Sequence, residues 1–400
     1  MKDTHLLAAA RIVRMVAYGA LSVILALYLA VIGFSDREIG LILSLTLLGD
    51  AVVSLWLTNV ADRLGRRRML VVGSWLMAGA GLVFAFSRDP WLLTIAAIVG
   101  VISPTGKEIG PFLSIEQAAL TEIVPPARRT HVFAWYQVFA SIASAVGALA
   151  GGVMAAWWQA RGHSAISAYQ IVLVLYAAAG VAIGVLFLRL SDRVEAPAVD
   201  AGVIRRAFGL HRSRGVVVKL SALFALDSFA GGFIVQSLLA YWFHLRFGVD
   251  EATIGAILFG ANLVAGLTAL SAAWLASRIG LVNTMVVTHL PSNVLLCLVP
   301  LMPTLPLAIV VLILRFSISQ MDVPTRQSYT VAVVAPDERS AAAGVTTIAR
   351  SIGAALSPVI AGALLTTSLA APFYLAGGLK IVYDLLLFRG FRTLRPPEES

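Results

Sequence analysis

Twelve apolar runs, each close to the length of a membrane-spanning helix, fill nearly all of this 400-residue chain. Crossing a bilayer core of about 30 Å takes roughly 20 mostly apolar residues in a helix. The runs fall at about 10–33, 38–60, 69–87, 91–123, 131–158, 166–189, 216–245, 252–276, 281–302, 305–334, 340–368 and 371–389. Charged residues are only 13% of the chain, against roughly a quarter in soluble domains, and mean hydropathy is +0.88. An aqueous fold of this size has no interior to hold so much apolar surface, so the expected solvent is lipid. In hydrocarbon each backbone amide must be satisfied within the protein, which selects helices or closed barrels. Runs of this length select helices, and the expected class is an all-α integral membrane protein. The first run is too long for a signal-peptide core and lacks an Ala-x-Ala-like cleavage context, so it is read as a retained span. One cysteine, Cys297, excludes an intrachain disulfide and a Cys-based metal site.

The longest polar connection lies between the sixth and seventh runs. It divides the chain into an expected six-helix bundle at 1–189, a linker at 190–215 and a second six-helix bundle at 216–400. With the N-terminus placed inside, the 30 Lys and Arg residues partition as about 21 inner, 4 outer and 5 within spans, a strong positive-inside bias. Both termini are then cytoplasmic. The same partition accounts for the net charge of +9 without a nucleic-acid partner.

The halves repeat. Shifted by 215 positions, 33–65 falls on 248–280 without a gap and matches Gly33 with Gly248, Arg63 with Arg278 and Gly65 with Gly280. A shift of 211 pairs Pro125 with Pro336 and Arg128 with Arg339. Repeated halves are a transporter architecture, with the site at the repeat interface near the midplane.

Between the second and third runs stands Thr58-Asn59-Val60-Ala61-Asp62-Arg63-Leu64-Gly65-Arg66-Arg67-Arg68. Asp62, Arg63, Gly65, Arg66 and Arg67 resemble the G-x-x-x-D-R-x-G-R-R loop signature of the major facilitator superfamily, with Thr58 in place of its first glycine. The resemblance extends over the twelve spans, the central loop and the two homologous halves. It implies a secondary transporter working by alternating access, with segments 1, 4, 7 and 10 around a central cavity. Gly147-Ala148-Leu149-Ala150-Gly151-Gly152 is similar to the G-P-x-x-G-G of proton-driven drug exporters, with Ala148 where proline is usual. Ordinary close packing of helices in lipid explains the same residues.

Ionisable residues inside spans are costly and mostly functional. Segment 4 carries Lys107, Glu108 and Glu116; segment 7 carries Asp227; segment 10 carries Arg315, Asp322 and Arg326; segments 3, 6 and 9 carry none in their interiors. Lys107, Glu108, Arg315, Asp322 and Arg350 are therefore candidate cavity residues. Glu116, Glu122 and Arg326 are expected nearer the inner surface. Asp322 and Arg326, one turn apart, are expected to pair, as are Lys380 and Asp384. Pro111 and Pro324 are expected to break their helices. Asp50 and Asp227 have no base within a turn on their own helices, so each is a candidate proton carrier, Asp227 first. Asp62, Arg63, Gly65, Arg66, Arg67 and Glu122 form a candidate gating loop, with Asp62 at the start of segment 11 and Arg66 or Arg67 near Glu122.

The leading expectation is proton-coupled efflux of amphipathic small organic molecules. The second is uptake or exchange of an organic anion, and a third, from another class, is a non-transporting receptor or scaffold. P-loop, nucleotide-binding glycine motif, nucleophile elbow and clustered metal ligands are absent from the sequence. No enzyme, cofactor or metal is expected. The expected partners are a small molecule, protons and the bilayer, for a monomer in the cell's inner (cytoplasmic) membrane.

Overall fold

The computed structural model describes residues 2–107, 111–195, 211–335, 338–392 and 394, apart from the side chains of residues 59, 62, 111, 126, 127, 129–131, 134 and 340. It is helical throughout: α1 Lys2–Val31, α2 Asp36–Leu64, α3 Arg66–Phe86, α4 Pro90–Val99, α5 Pro111–Ile123, α6 Pro126–Ala160, α7 Ala165–Leu188, α8 Arg214–Gly232, α9 Gln236–Phe247, α10 Glu251–Ala269, α11 Ala272–Ile279, α12 Leu281–Leu298, α13 Leu305–Ser319, α14 Asp322–Ala332, α15 Arg339–Leu365 and α16 Ala371–Phe391. Eleven described stretches are long and apolar enough to cross a membrane. The expected fourth segment supplies the rest of the twelve as two shorter helices, α4 and α5.

Four of the expected segments are broken. Pro111 opens α5, as its lost N–H dictates. In segment 10 the break falls at residues 320–321, ahead of Pro324, which sits in the first turn of α14 where an N–H has no helical partner to lose. The breaks at 233–235 and 270–271 have no proline and were not expected from the pattern.

The arginine-rich stretch is not a loop. Asp62 and Arg63 end α2, Arg66–Arg68 begin α3, and Gly65 alone makes the turn at φ 102°. Its repeat partner Gly280 has φ 85°, and the matched pair Gly33 and Gly248 have φ 104° and 64°. Positive φ is strained for L-residues and free for glycine. The repeat identities thus mark two pairs of corresponding turns.

Contacts divide the chain into two compact units: Met1–Ala201 with Val235–Phe259, and Gly202–Ile234 with Gly260–Ser400. In unit 1, α1 lies against α6 through glycines. A Cβ on Gly19 would meet the Ser144 carbonyl oxygen at 2.0 Å and one on Gly147 the Val16 oxygen at 2.1 Å, while one on Gly152 would meet the Glu251 oxygen of α10 at 2.1 Å. The exporter-like stretch is therefore a helix-packing seam here. In unit 2, α8 lies against α15 by the same device, Gly232 meeting Ala354 and Ser357, and Gly353 meeting Ala225.

Candidate functional site

Unit 2 contains a cluster of charges drawn from six helices. Asp227 of α8 sits at its centre, 4% exposed. Its Oδ1 accepts a hydrogen bond from Lys380 Nζ of α16 at 2.5 Å, and its Oδ2 accepts one from Arg326 Nη1 of α14 at 3.1 Å. Arg350 Nη1 of α15 lies 3.9 Å from Oδ2, and His289 Nε2 of α12 lies 3.8 Å from Oδ1. Arg326 also bonds Asp322 at 2.9 Å, the expected one-turn pair. Arg315 of α13 interacts electrostatically with both Asp227 and Asp322. On the far side of His289, its Nδ1 stands 2.8 Å from Asp384 Oδ1, and Asn293 donates to Asp384 Oδ2 at 2.9 Å.

Several sequence expectations are corrected by this geometry. Asp227 is not an unpaired acid: its partners come from other helices, which same-helix spacing does not reveal. Lys380 and Asp384 do not pair with each other; Lys380 turns to Asp227 and Asp384 to His289. Arg326 is buried in the cluster. His289 shows that segment 9 does hold an ionisable residue. The signal available was a histidine and an asparagine one turn apart, 289 and 293, in an apolar run.

The charges in this cluster do not cancel. Arg315, Arg326, Arg350 and Lys380 stand against Asp227, Asp322 and Asp384, a surplus of one positive charge before His289 is counted. Arg315 Nε and Arg350 Nη1 are buried without a hydrogen-bond partner. A buried donor left unsatisfied costs about 1–3 kcal/mol, and more when it is charged.

Unit 1 has a smaller cluster built on one ion pair. Arg14 of α1 donates two 2.8 Å hydrogen bonds to Glu116 of α5, which also accepts one from Tyr136 Oη of α6 at 2.5 Å. Glu116 is fully buried in this pairing. Asp50 of α2 is partly buried and interacts with Tyr176 of α7.

The break in segment 4 frees backbone carbonyls, and hydroxyls take them: Tyr176 donates to the Val101 carbonyl, Ser237 to Pro104, Ser144 to Gly106 and Ser103 to Lys107. The Lys107 side chain is exposed in unit 1, and Glu108 lies outside the described residues.

At the Gly65 turn, Arg66 Nη1 stands 3.8 Å from Glu122, the contact expected for one of the two arginines. The stronger partner is Glu195, which sequence spacing did not suggest. Its carboxylate accepts from the Arg66 N–H at 2.6 Å and the Arg67 N–H at 3.3 Å, capping α3. Three arginines in a first turn oppose the helix dipole, and a carboxylate there offsets them. The expected seat of Asp62 at the start of segment 11 falls on a side chain outside the described residues.

Comparison with known proteins matches this architecture along the whole chain. The sequence profile of the Major Facilitator Superfamily matches residues 7–318 and 222–400. The chain is 32% identical over 417 residues to the uncharacterized membrane protein YJR124C of Saccharomyces cerevisiae, covering 96% of this chain and 93% of the yeast protein. It is 25% identical over 389 residues to the multidrug efflux protein YfmO of Bacillus subtilis, covering 96% and 92%. The crystal structure of the nucleoside transporter NupG superposes with a TM-score of 0.76 at 15% identity, covering 98% of this chain and all of that one. At that identity the likeness is one of fold.

Proposed function

Because the chain belongs to the Major Facilitator Superfamily, a family of small-molecule transporters and not of enzymes, we propose that it is a proton-linked secondary transporter whose cargo is an organic anion held by Arg315 and Arg350. One observation carries this: the positive surplus of unit 2, with one buried guanidinium nitrogen on each of those two arginines that lacks a hydrogen-bond partner. Guanidinium binds carboxylate and phosphate through a planar fork of donors, and such charge-assisted bonds are about twice as strong as neutral ones. An anion that draws Arg350 from Asp227 leaves that carboxylate less compensated, and proton uptake by the cluster restores the balance. Lys107, Glu108 and Asp322 remain candidates for cargo contact, and Asp50 for a second proton position. The gating role of Asp62, Arg63, Gly65, Arg66, Arg67 and Glu122 is proposed with it, in a multi-pass protein with both termini cytoplasmic.

A second function, proton-coupled efflux of amphipathic molecules, is favoured by the match to a multidrug efflux protein along 96% of the chain. Purified protein in proteoliposomes separates the two. Saturable flux of carboxyfluorescein or p-aminohippurate that Arg315→Ala lowers at least tenfold supports the anion function. Proton-driven flux of tetraphenylphosphonium with both anions inert gives the site to the efflux function. A protein that moves none of the three sinks both and leaves a receptor or scaffold.

A further inference from the structure

His289 is the buried titratable group in unit 2 that anion binding does not use. It sits on α12 with acids on both sides. Nδ1 faces Asp384 Oδ1 at 2.8 Å, and Nε2 faces Asp227 Oδ1 at 3.8 Å. Asn293 fixes Asp384 from the other oxygen, and the Tyr383 ring meets the imidazole edge-on at 5.8 Å. The charged and titratable groups around it are Asp384, Lys380 and Tyr383 of α16 and Asp227 of α8. Behind Asp227 stand Arg326 and Asp322 of α14, Arg350 of α15 and Arg315 of α13. Asp227 Oδ1 is the shared atom: Lys380 Nζ holds it at 2.5 Å while His289 Nε2 waits outside hydrogen-bond distance.

We propose that His289 holds the coupling proton, and that the protonated imidazole displaces Lys380 from Asp227 Oδ1 and so releases the ammonium to the cargo anion. A carboxylate only accepts, so the neutral imidazole carries its hydrogen on Nδ1 toward Asp384 and keeps a lone pair on Nε2. A hydronium ion gives its proton to that lone pair, its O–H bond breaking to leave water. The new Nε2–H donates to Asp227 Oδ1, the 3.8 Å gap closes, and the Nζ–H···Oδ1 bond of Lys380 breaks. No other bond changes. The cluster gains one positive charge, and one anionic charge on the cargo restores the earlier sum. Proton and anion therefore strengthen each other's binding by the same factor, as linkage requires. Imidazole is the side chain suited to this, since its ordinary titration falls between pH 5 and 8.

This rests on the anion function proposed above only in the identity of the cargo, so two measurements separate them. In the first, His5, His131, His163, His211 and His244 are replaced by glutamine, and the remaining His289 is labelled with 15N for NMR in detergent micelles with no cargo present. The 15N shifts are expected to show a neutral imidazole with its hydrogen on Nδ1 in exchange with an imidazolium, and Lys380→Gln is expected to raise the share of imidazolium at fixed pH, because a competing cation has left the shared oxygen. An imidazole with its hydrogen on Nε2, one that does not respond to acid, or one unmoved by Lys380→Gln overturns the proposal, whatever the cargo. In the second, an inward proton gradient accelerates carboxyfluorescein flux in proteoliposomes. His289→Gln is expected to cut that acceleration from about tenfold to under twofold. Acceleration unchanged in that variant also overturns the proposal. Absence of anion flux in the wild type, with the NMR result as expected, overturns the anion function alone.

Discussion

Arg14 and Glu116 carry charges of opposite sign that are both fully buried, which is tolerable only because each satisfies the other. Tyr136 adds a third bond, the Arg14 guanidinium lies 4.5 Å from the Phe112 ring centroid, and Arg11 lies 4.2 Å from that of Tyr136. Removing one partner strands the other. Glu116→Ala is expected to destabilise by about 3–5 kcal/mol, while the double change Arg14→Met with Glu116→Leu is expected to be near neutral. Thermal unfolding of the three proteins in one detergent checks this; equal losses in the single and double variants would mean that the pair is not coupled. Unit 2 has a counterpart of reversed sign, Asp227 of α8 with Arg326 of α14. Glu116, Asp227 and Arg326 stood out in the sequence as charges within apolar runs, but their partners did not. Periodicity gives the face on which a residue lies, and the neighbour across that face comes from a helix about a hundred positions away.

The helices themselves were far more legible than the contacts between them. Apolar length set the twelve segments, and Pro111 announced the start of α5. The breaks at 233–235 and 270–271 had no proline to mark them. Gly65 and Gly280 were visible as repeat identities, and their positive φ gives the reason. Alanine at either is expected to cost about 1–2 kcal/mol from backbone strain alone, since the Cβ on Gly65 would meet the Glu195 carboxylate at an ordinary 3.5 Å. Equal melting temperatures for wild type and Gly65→Ala would show that the turn relaxes.

The start of α8 is held by a distant carboxylate, as α3 is by Glu195. Glu338 accepts from the backbone N–H groups of His211, Arg212 and Ser213. Hydrogen bonds from Ser213 and the His211 backbone hold the Glu338 carboxyl down to about 2. Its folded value lies below the unfolded one of about 4.3. The stabilisation is therefore complete above that pH and is lost as pH falls toward 2. Glu338→Gln should lower the melting temperature at pH 7, and the gap to wild type should narrow as pH falls from about 4.5 toward 2. A gap independent of pH would assign the effect to shape rather than charge.

On the scale of the whole molecule, the sequence repeat predicts six crossings per half, with α4 and α5 together making one of them. The Lys and Arg partition then predicts the Gly65 and Gly280 turns inside and the Gly33 and Gly248 turns outside. Single cysteines on a Cys297→Ser background check the orientation at three turns. Cysteine at Ser87, between α3 and α4, or at Gly162, between α6 and α7, should react with a membrane-impermeant maleimide in intact cells. Cysteine at Arg189, just after α7, should react only once the membrane is permeabilised. The inverse pattern would reverse the protein in its membrane. Labelling of Ser87 and Gly162 on opposite sides would mean that α4 and α5 do not form one crossing, and the six-plus-six architecture would lose its parity.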